Sequence, residues 1–192
     1  MGDYIDPYRE ISNKDLINNL KEIIQFKKEQ PDNVVLLLGN HDMHYLDDDF
    51  EICCRFDEEI EDEVSMLFLR NIHLFVFAFQ EGNHIYTHAG ISQKWFLEDF
   101  KGDINKNIAE QLNNARIDQL PALYRCGWFR GGDINAVGGI FWADINELTD
   151  PLPHYMQIVG HSRVDDIHEY ENNNGMIIFC DCLYNNKYLK LE

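Results

Sequence analysis

Residues 34–38 read Val-Val-Leu-Leu-Leu, an apolar run of five with Pro31-Asp32 before it and Gly39-Asn40 after it. A run this short, bounded by turn residues, is the pattern of a strand buried on both faces. It follows residues 12–30, where Leu16, Ile17, Leu20, Ile23, Ile24 and Lys27 recur at helical spacing behind Ser12, a residue suited to capping. A helix feeding a doubly buried strand is half of a βαβ unit, so the chain opens as an α/β protein.

The remainder turns from helices to hairpins. Residues 56–69 are acidic and predict a helix with Ile60, Val64, Leu67 and Phe68 on one side. Residues 74–79 and 85–88 predict strands joined at Glu81-Gly82-Asn83, a hairpin signal. Helices are expected over 92–100 and 104–117, followed by a Gly-rich irregular stretch over 126–139. Residues 158–160 end another strand. Residues 167–171 and 176–180 flank Asn172-Asn173-Asn174-Gly175, a strong hairpin signal, and 188–191 predict a last strand. This order predicts a mixed two-sheet core with helices outside. With 192 residues, 45% of them hydrophobic, the chain has the size and composition of one domain over 1–192.

Charge narrows the classes of partner. Sixteen basic against 34 acidic residues give a net charge of −18. Such a chain repels phosphate backbones and anionic lipid surfaces, so neither nucleic acid nor membrane is an expected partner. No apolar run nears the ~20 residues that span a bilayer, and the polar start is no secretion signal. Five cysteines, with one adjacent pair and one Cys-x-Cys, do not suggest a disulfide framework. Reduced thiols and a cytoplasmic location are expected.

Four short motifs sit where strands end: Gly2-Asp3-Tyr4-Ile5-Asp6, Gly39-Asn40-His41-Asp42, Thr87-His88-Ala89-Gly90 and Gly160-His161-Ser162. In open α/β sheets ligands gather at the carboxyl ends of strands, and glycine beside each polar residue permits a sharp turn. Taken singly, each has a bland reading: a turn for Gly-Asn-His-Asp, a packing or loop histidine for His88 or His161. Taken together, an Asp, an Asn and two His offer an oxygen and nitrogen cage for Mn²⁺, Fe²⁺ or Zn²⁺.

The order Gly-Asp-x-x-Asp, Gly-Asn-His-Asp, His-Ala-Gly, Gly-His resembles the calcineurin-like metallophosphoesterases, in particular their phosphoprotein-phosphatase-like branch. The resemblance runs over nearly the whole chain and includes Phe141-Trp142-Ala143-Asp144. It implies an α/β fold, a two-sheet metallophosphoesterase β-sandwich flanked by helices. It also implies hydrolysis of a phosphate ester by metal-activated water. Asp3 would bridge two divalent metals, with Asn40, His88 and His161 completing the second metal's shell. His41 would be the general acid, its ring oriented by Asp6. The substrate would be a phosphomonoester, such as one carried on protein, or a nucleotide polyphosphate.

Three departures stand out. The family's opening Asp-x-His is absent, so the second metal site is expected to be intact and the first incomplete. The missing piece is roughly thirty residues, a strand, a helix and most of the next strand. An internal start or a shortened chain is expected rather than a protein that truly lacks this half. An edge so exposed would invite pairing with a second copy. Pro7 stands where many members have Arg, which leaves Arg9, Arg125 or Arg130 to clamp phosphate; Arg130, in the Gly-rich stretch, is first choice. Arg163 replaces the second His of nuclease-like members. His44, His73, His84, His154 and His168 read as surface or packing residues, and Trp95, Trp128 and Trp142 as core. The rival expectation is a non-catalytic binding module on the same fold, which the missing first motif favours. The complete set Asp3, Asp6, Asn40, His41, His88 and His161 speaks against it.

Overall fold

Ser12 begins the first helix as its spacing predicts. In the computed structural model, which describes residues 1–191, α1 spans Asn13–Glu29 and the Ser12 hydroxyl accepts the Asp15 N–H at 3.2 Å. Lys27 lies near the helix end, where its ammonium donates to the carbonyls of Pro31 and Val34 and satisfies backbone just past the last turn. Leu16, Ile17, Leu20 and Ile24 form the buried stripe. It packs against α3, Glu61–Asn71, which buries Val64 and Phe68. Burial of Leu20 and Phe68, both fully excluded from solvent, stabilises the pair by about 1.5–3 kcal/mol each.

The chain's contacts cluster into two compact units, Met1–Val76 and the residues from Phe77 onward. The first carries a two-stranded parallel sheet, β1 (Leu36–Leu37) beside β2 (Phe75–Val76), with Leu36 opposite Phe75. The expected strand over 34–38 is therefore shorter than its apolar run. Val35 is exposed, and burial begins at Leu36. Between β1 and α3 lies α2, Asn40–Met43, a single turn. The helix expected from residue 56 starts at Glu61. Before it, Asp57 accepts the Glu59 N–H at 2.9 Å in a local turn that competes with helix.

The second unit is built on a five-stranded mixed sheet. Its strands are β3 (Ala78–Glu81), β4 (His84–Thr87), β5 (Met156–Arg163), β6 (His168–Glu171) and β7 (Met176–Asp181), in the order β3-β4-β5-β7-β6. The central pairs β4–β5 and β5–β7 are parallel, and an antiparallel hairpin closes each side. Both hairpins fall where Glu81-Gly82-Asn83 and Asn172-Asn173-Asn174-Gly175 place them. Val159, Ile177 and Phe179 form a core with Ala89, Ala143 and Leu148. Two sheets flanked by helices make a mixed α/β chain, the fold class expected.

Three elements differ. Residues 95–99 form a π-helical turn in which Trp95 and Phe96 both stack on Phe100. The helix expected over 104–117 shrinks to α4, Ile108–Asn113, because side chains claim the backbone at both ends. Asn107 accepts the Glu110 N–H at 2.8 Å, and Gln80 of β3 accepts the N–H groups of Ile108 and Ala109. At the other end the Asn113 amide accepts from Phe77 and Ala78 and donates to the Ala78 carbonyl. A short helix, α5 (Leu120–Leu123), follows. Residues 188–191, expected as a strand, form none. Among the described residues no helix is long and apolar enough to cross a membrane.

Candidate functional site

A glycine lets the first unit lay its two motif loops against each other. Gly2 lies at φ 87°, and a Cβ on it would stand 2.4 Å from the Gly39 nitrogen, so no larger residue fits. Asp42, fully buried, ties the loops together. Its Oδ2 accepts the N–H groups of Asp3 and Gly39 at 2.8 Å each, and its Oδ1 accepts that of Tyr4 at 2.8 Å. Burial and the neighbouring Asp3 charge push the Asp42 carboxyl upward, against the pull of those donors. Asp3 and Asp6 adopt left-handed φ angles of 60° and 59°, strained for residues with a side chain. Asp3 Oδ1 accepts the His41 N–H at 3.1 Å.

Asp6 is the hub. Its Oδ2 meets His41 Nδ1 at 2.9 Å and His44 Nε2 at 2.8 Å, and its Oδ1 accepts from the Tyr45 hydroxyl at 2.9 Å. Residues three apart on a helical turn share a face, which is how α2 brings both imidazoles to one carboxylate. Burial pushes the Asp6 carboxyl up, but the bonds from His41, His44 and Tyr45 outweigh it and hold it below its ordinary value. Arg55 completes the arrangement. Its Nε donates to the Asp6 carbonyl at 2.8 Å, and a terminal nitrogen lies 3.0 Å from His41 Nε2. A guanidinium only donates, so His41 Nε2 accepts, and the ring proton is the one on Nδ1 given to Asp6.

Cys53 braces Asn40. Its sulfur lies 3.3 Å from both the amide nitrogen and the carbonyl oxygen of Asn40, while its N–H donates to His44 Nδ1 at 3.1 Å. Burial pushes the Cys53 thiol up, so it stays protonated at neutral pH. His41, His44 and Cys53 hold ligand-type atoms within 4.8 Å of one another. In the structure these atoms face protein groups: His44 Nδ1 accepts the Cys53 N–H, and His44 Nε2 lies 2.8 Å from Asp6 Oδ2.

In the second unit, adjacent parallel strands deliver two histidines. His88 follows β4, and His161 lies within β5 where the β5–β7 register shifts, at a left-handed φ of 60°. Such an irregularity re-aims a side chain. His88 Nε2 and His161 Nδ1 lie 3.0 Å apart, and the Gly160 N–H donates to the His88 carbonyl at 2.8 Å. Converging imidazole nitrogens are the donor set that Mn²⁺, Fe²⁺ or Zn²⁺ accepts, so these two residues fit the ion that the motifs imply. Beside them Arg130 pairs with Asp144 at 2.8 Å and donates to the Ser162 hydroxyl at 3.0 Å. Glu147 gathers the Gly-rich stretch by accepting the N–H groups of Phe129 and Gly138, both at 2.9 Å.

Of the residues singled out by sequence, Asp6 and His41 are bonded, Asp3 touches the His41 backbone, and Asn40 adjoins them. His88 and His161 meet, with Arg130 one residue away through Ser162. Of the two readings of His44, surface or packing, the structure gives packing: it is buried on Asp6, and its spacing three residues after His41 was the signal for that contact. Trp128, expected in the core, is 48% exposed. Tyr45, Cys53 and Arg55 carried no signal in the motifs.

Comparison with known proteins gives one informative likeness. No family model matches the chain, and no curated protein matches it. Its structure is similar to the crystal structure of a cold-active protein-tyrosine phosphatase of a psychrophile, a Shewanella species, with a TM-score of 0.52 and 17% identity. The match covers 96% of this chain and 60% of that one, so the chain spans less than two thirds of its structural neighbour. At that identity the likeness is one of fold: the mixed α/β architecture found here is that of a protein named a phosphatase.

Proposed function

We propose that the chain is a phosphate-ester hydrolase of the calcineurin-like metallophosphoesterase type, acting with a divalent metal on a phosphomonoester or a nucleotide polyphosphate. The observation that carries this reading is the hydrogen bond from His41 Nδ1 to Asp6. An imidazole held by a buried carboxylate presents Nε2 as its proton-transfer atom: once Nε2 has taken a proton from water, the imidazolium, balanced by Asp6, can give that proton to a departing alkoxide. His44 and Tyr45 steady the same carboxylate and so fix the ring. The fold shared with a protein named a phosphatase agrees with the reaction class.

His88 and His161 are the proposed ligands of the second unit, and Asp3 and Asn40 are proposed on the resemblance of their motifs. A bound divalent ion would activate water and stabilise charge on the phosphoryl oxygens. The residues around the proposed ligands orient them: Cys53 turns the Asn40 amide, and the β5 irregularity turns His161. Phosphoryl transfer to a thiolate finds less support, because burial pushes up the thiols of Cys53 and Cys180.

Hydrolysis of 4-nitrophenyl phosphate, measured with added Mn²⁺ and after exhaustive chelation, tests the reading. Activity that needs the metal and vanishes in His41→Ala supports it. Activity indifferent to chelation sinks the metal, and no turnover of a panel of esters under either condition favours the non-catalytic binding module.

A further inference from the structure

The molecule carries few cations for a protein expected to bind an anion, and most of those beside acidic groups are already paired. Arg130 is held by Asp144, Arg125 by Asp99 and Arg116 by Asp118. Arg55 differs. Among the described residues it forms no ion pair: its guanidinium donates to a backbone carbonyl and to a neutral imidazole, and lies 4.0 Å from the centroid of the Tyr8 ring. Two of its five donors are used, which leaves three for an oxyanion. Its backbone lies at φ 70°, a left-handed strain that persists where the surroundings hold a residue in place for a purpose. The side chain is exposed, so an incoming anion reaches it without desolvating a core.

We propose that Arg55 is the anion-binding residue of this site and that it exchanges His41 Nε2 for the phosphoryl oxygens of the substrate. The proposal rests on the phosphate-ester reading of the same residues. In the structure the guanidinium occupies the one ring nitrogen of His41 that can serve a leaving group. A doubly charged phosphoryl group is a far stronger acceptor for arginine than a neutral imidazole, and it takes the fork in bidentate fashion. Binding of substrate therefore both anchors the anion and uncovers His41 Nε2 to take up the proton it passes to the leaving group, while the Tyr8 ring and the Asp6 carbonyl keep the arginine close. The pairing fits a phosphate ester better than a neutral ester, which would leave Arg55 on His41 and the site covered.

Two measurements test this in the metal-loaded protein. In steady-state hydrolysis of 4-nitrophenyl phosphate, Arg55→Ala should raise KM and the inhibition constant of inorganic phosphate together, by about tenfold or more, with Arg55→Lys between it and the wild type. A kcat that falls alone, with both constants unchanged, overturns the proposal. Independently of turnover, the ¹⁵N signal of His41 Nε2 should move when inorganic phosphate saturates the wild type at fixed pH. In Arg55→Lys and Arg55→Ala it should already be displaced and respond little. A wild-type signal indifferent to phosphate overturns the latch even where esters are hydrolysed. A responsive signal in a protein that hydrolyses no ester keeps Arg55 as an anion site and removes the hydrolase reading instead. Circular dichroism of each variant separates loss of fold from loss of binding, and Arg55→Lys carries the test if Arg55→Ala does not fold.

Discussion

His44 places Nε2 2.8 Å from Asp6 Oδ2, the same oxygen that His41 reaches. One carboxylate oxygen thus serves two imidazoles, one of them the proposed acid and the other fully enclosed. Removing the enclosed one frees Asp6 to rotate. His44→Ala should lower kcat for ester hydrolysis with little change in KM, and cost about 1–3 kcal/mol of unfolding free energy from the unsatisfied buried partner. Urea denaturation and steady-state rates check both. A KM effect alone would place His44 at the substrate instead.

Acid should act through Asp6. Its carboxyl is held below the ordinary 3.8, so the ionised form contributes stability that is fully present above that value. That contribution is lost as pH falls through the lower value of the folded state. The melting temperature of Asp6→Asn should therefore lie below the wild type's at neutral pH, with the gap closing in strong acid. A gap that is constant down to the acid limit would show that the charge contributes nothing.

The thiols separate two chemistries. Cys54 is exposed, whereas Cys53 is buried with its thiol pushed up. Iodoacetamide at neutral pH should modify Cys54 well before Cys53, as read by peptide mass spectrometry, and leave ester hydrolysis largely intact. Cys53→Ser should keep turnover with weakened metal affinity, by loosening Asn40. Supporting residues around metal ligands are worth about 10–100-fold in affinity or activity. Abolition of turnover by Cys53→Ser at saturating metal would revive the thiolate route.

Arg130 should behave unlike Arg55. Because it bridges Asp144 and Ser162, Arg130→Ala should destabilise the second unit by about 1–3 kcal/mol, mainly through the stranded Asp144 carboxylate. Differential scanning calorimetry would show it. A large rise in KM with unchanged stability would return Arg130 to the phosphate.

Much of this was readable from pattern. Local signals survived intact: the Ser12 cap, the stripe Leu16, Ile17, Leu20 and Ile24, and the hairpins at Gly82 and Gly175, each decided by residues a few positions apart. What failed was decided at a distance. The helix over 104–117 has acceptable periodicity, but Gln80, some thirty residues earlier, takes its first N–H groups and Asn113 turns its end onto β3. Asp6 and His41 were legible because motif glycines mark where polar side chains gather. Arg55 was not, because it reaches Asp6 from a loop 49 residues on, and nothing in its neighbours distinguishes it from a surface arginine.

The amide of Asn113 has an effect beyond ending a helix. It occupies the Phe77 and Ala78 N–H groups and the Ala78 carbonyl at the outer margin of β3. A foreign strand arriving there meets backbone at Phe77 and Ala78 that is already spoken for, so a ladder can start at that end of β3 only by expelling the side chain. One uncharged residue thereby covers one end of this edge strand against strand addition, a cover that Asn113→Ala would remove without altering any residue of the candidate site.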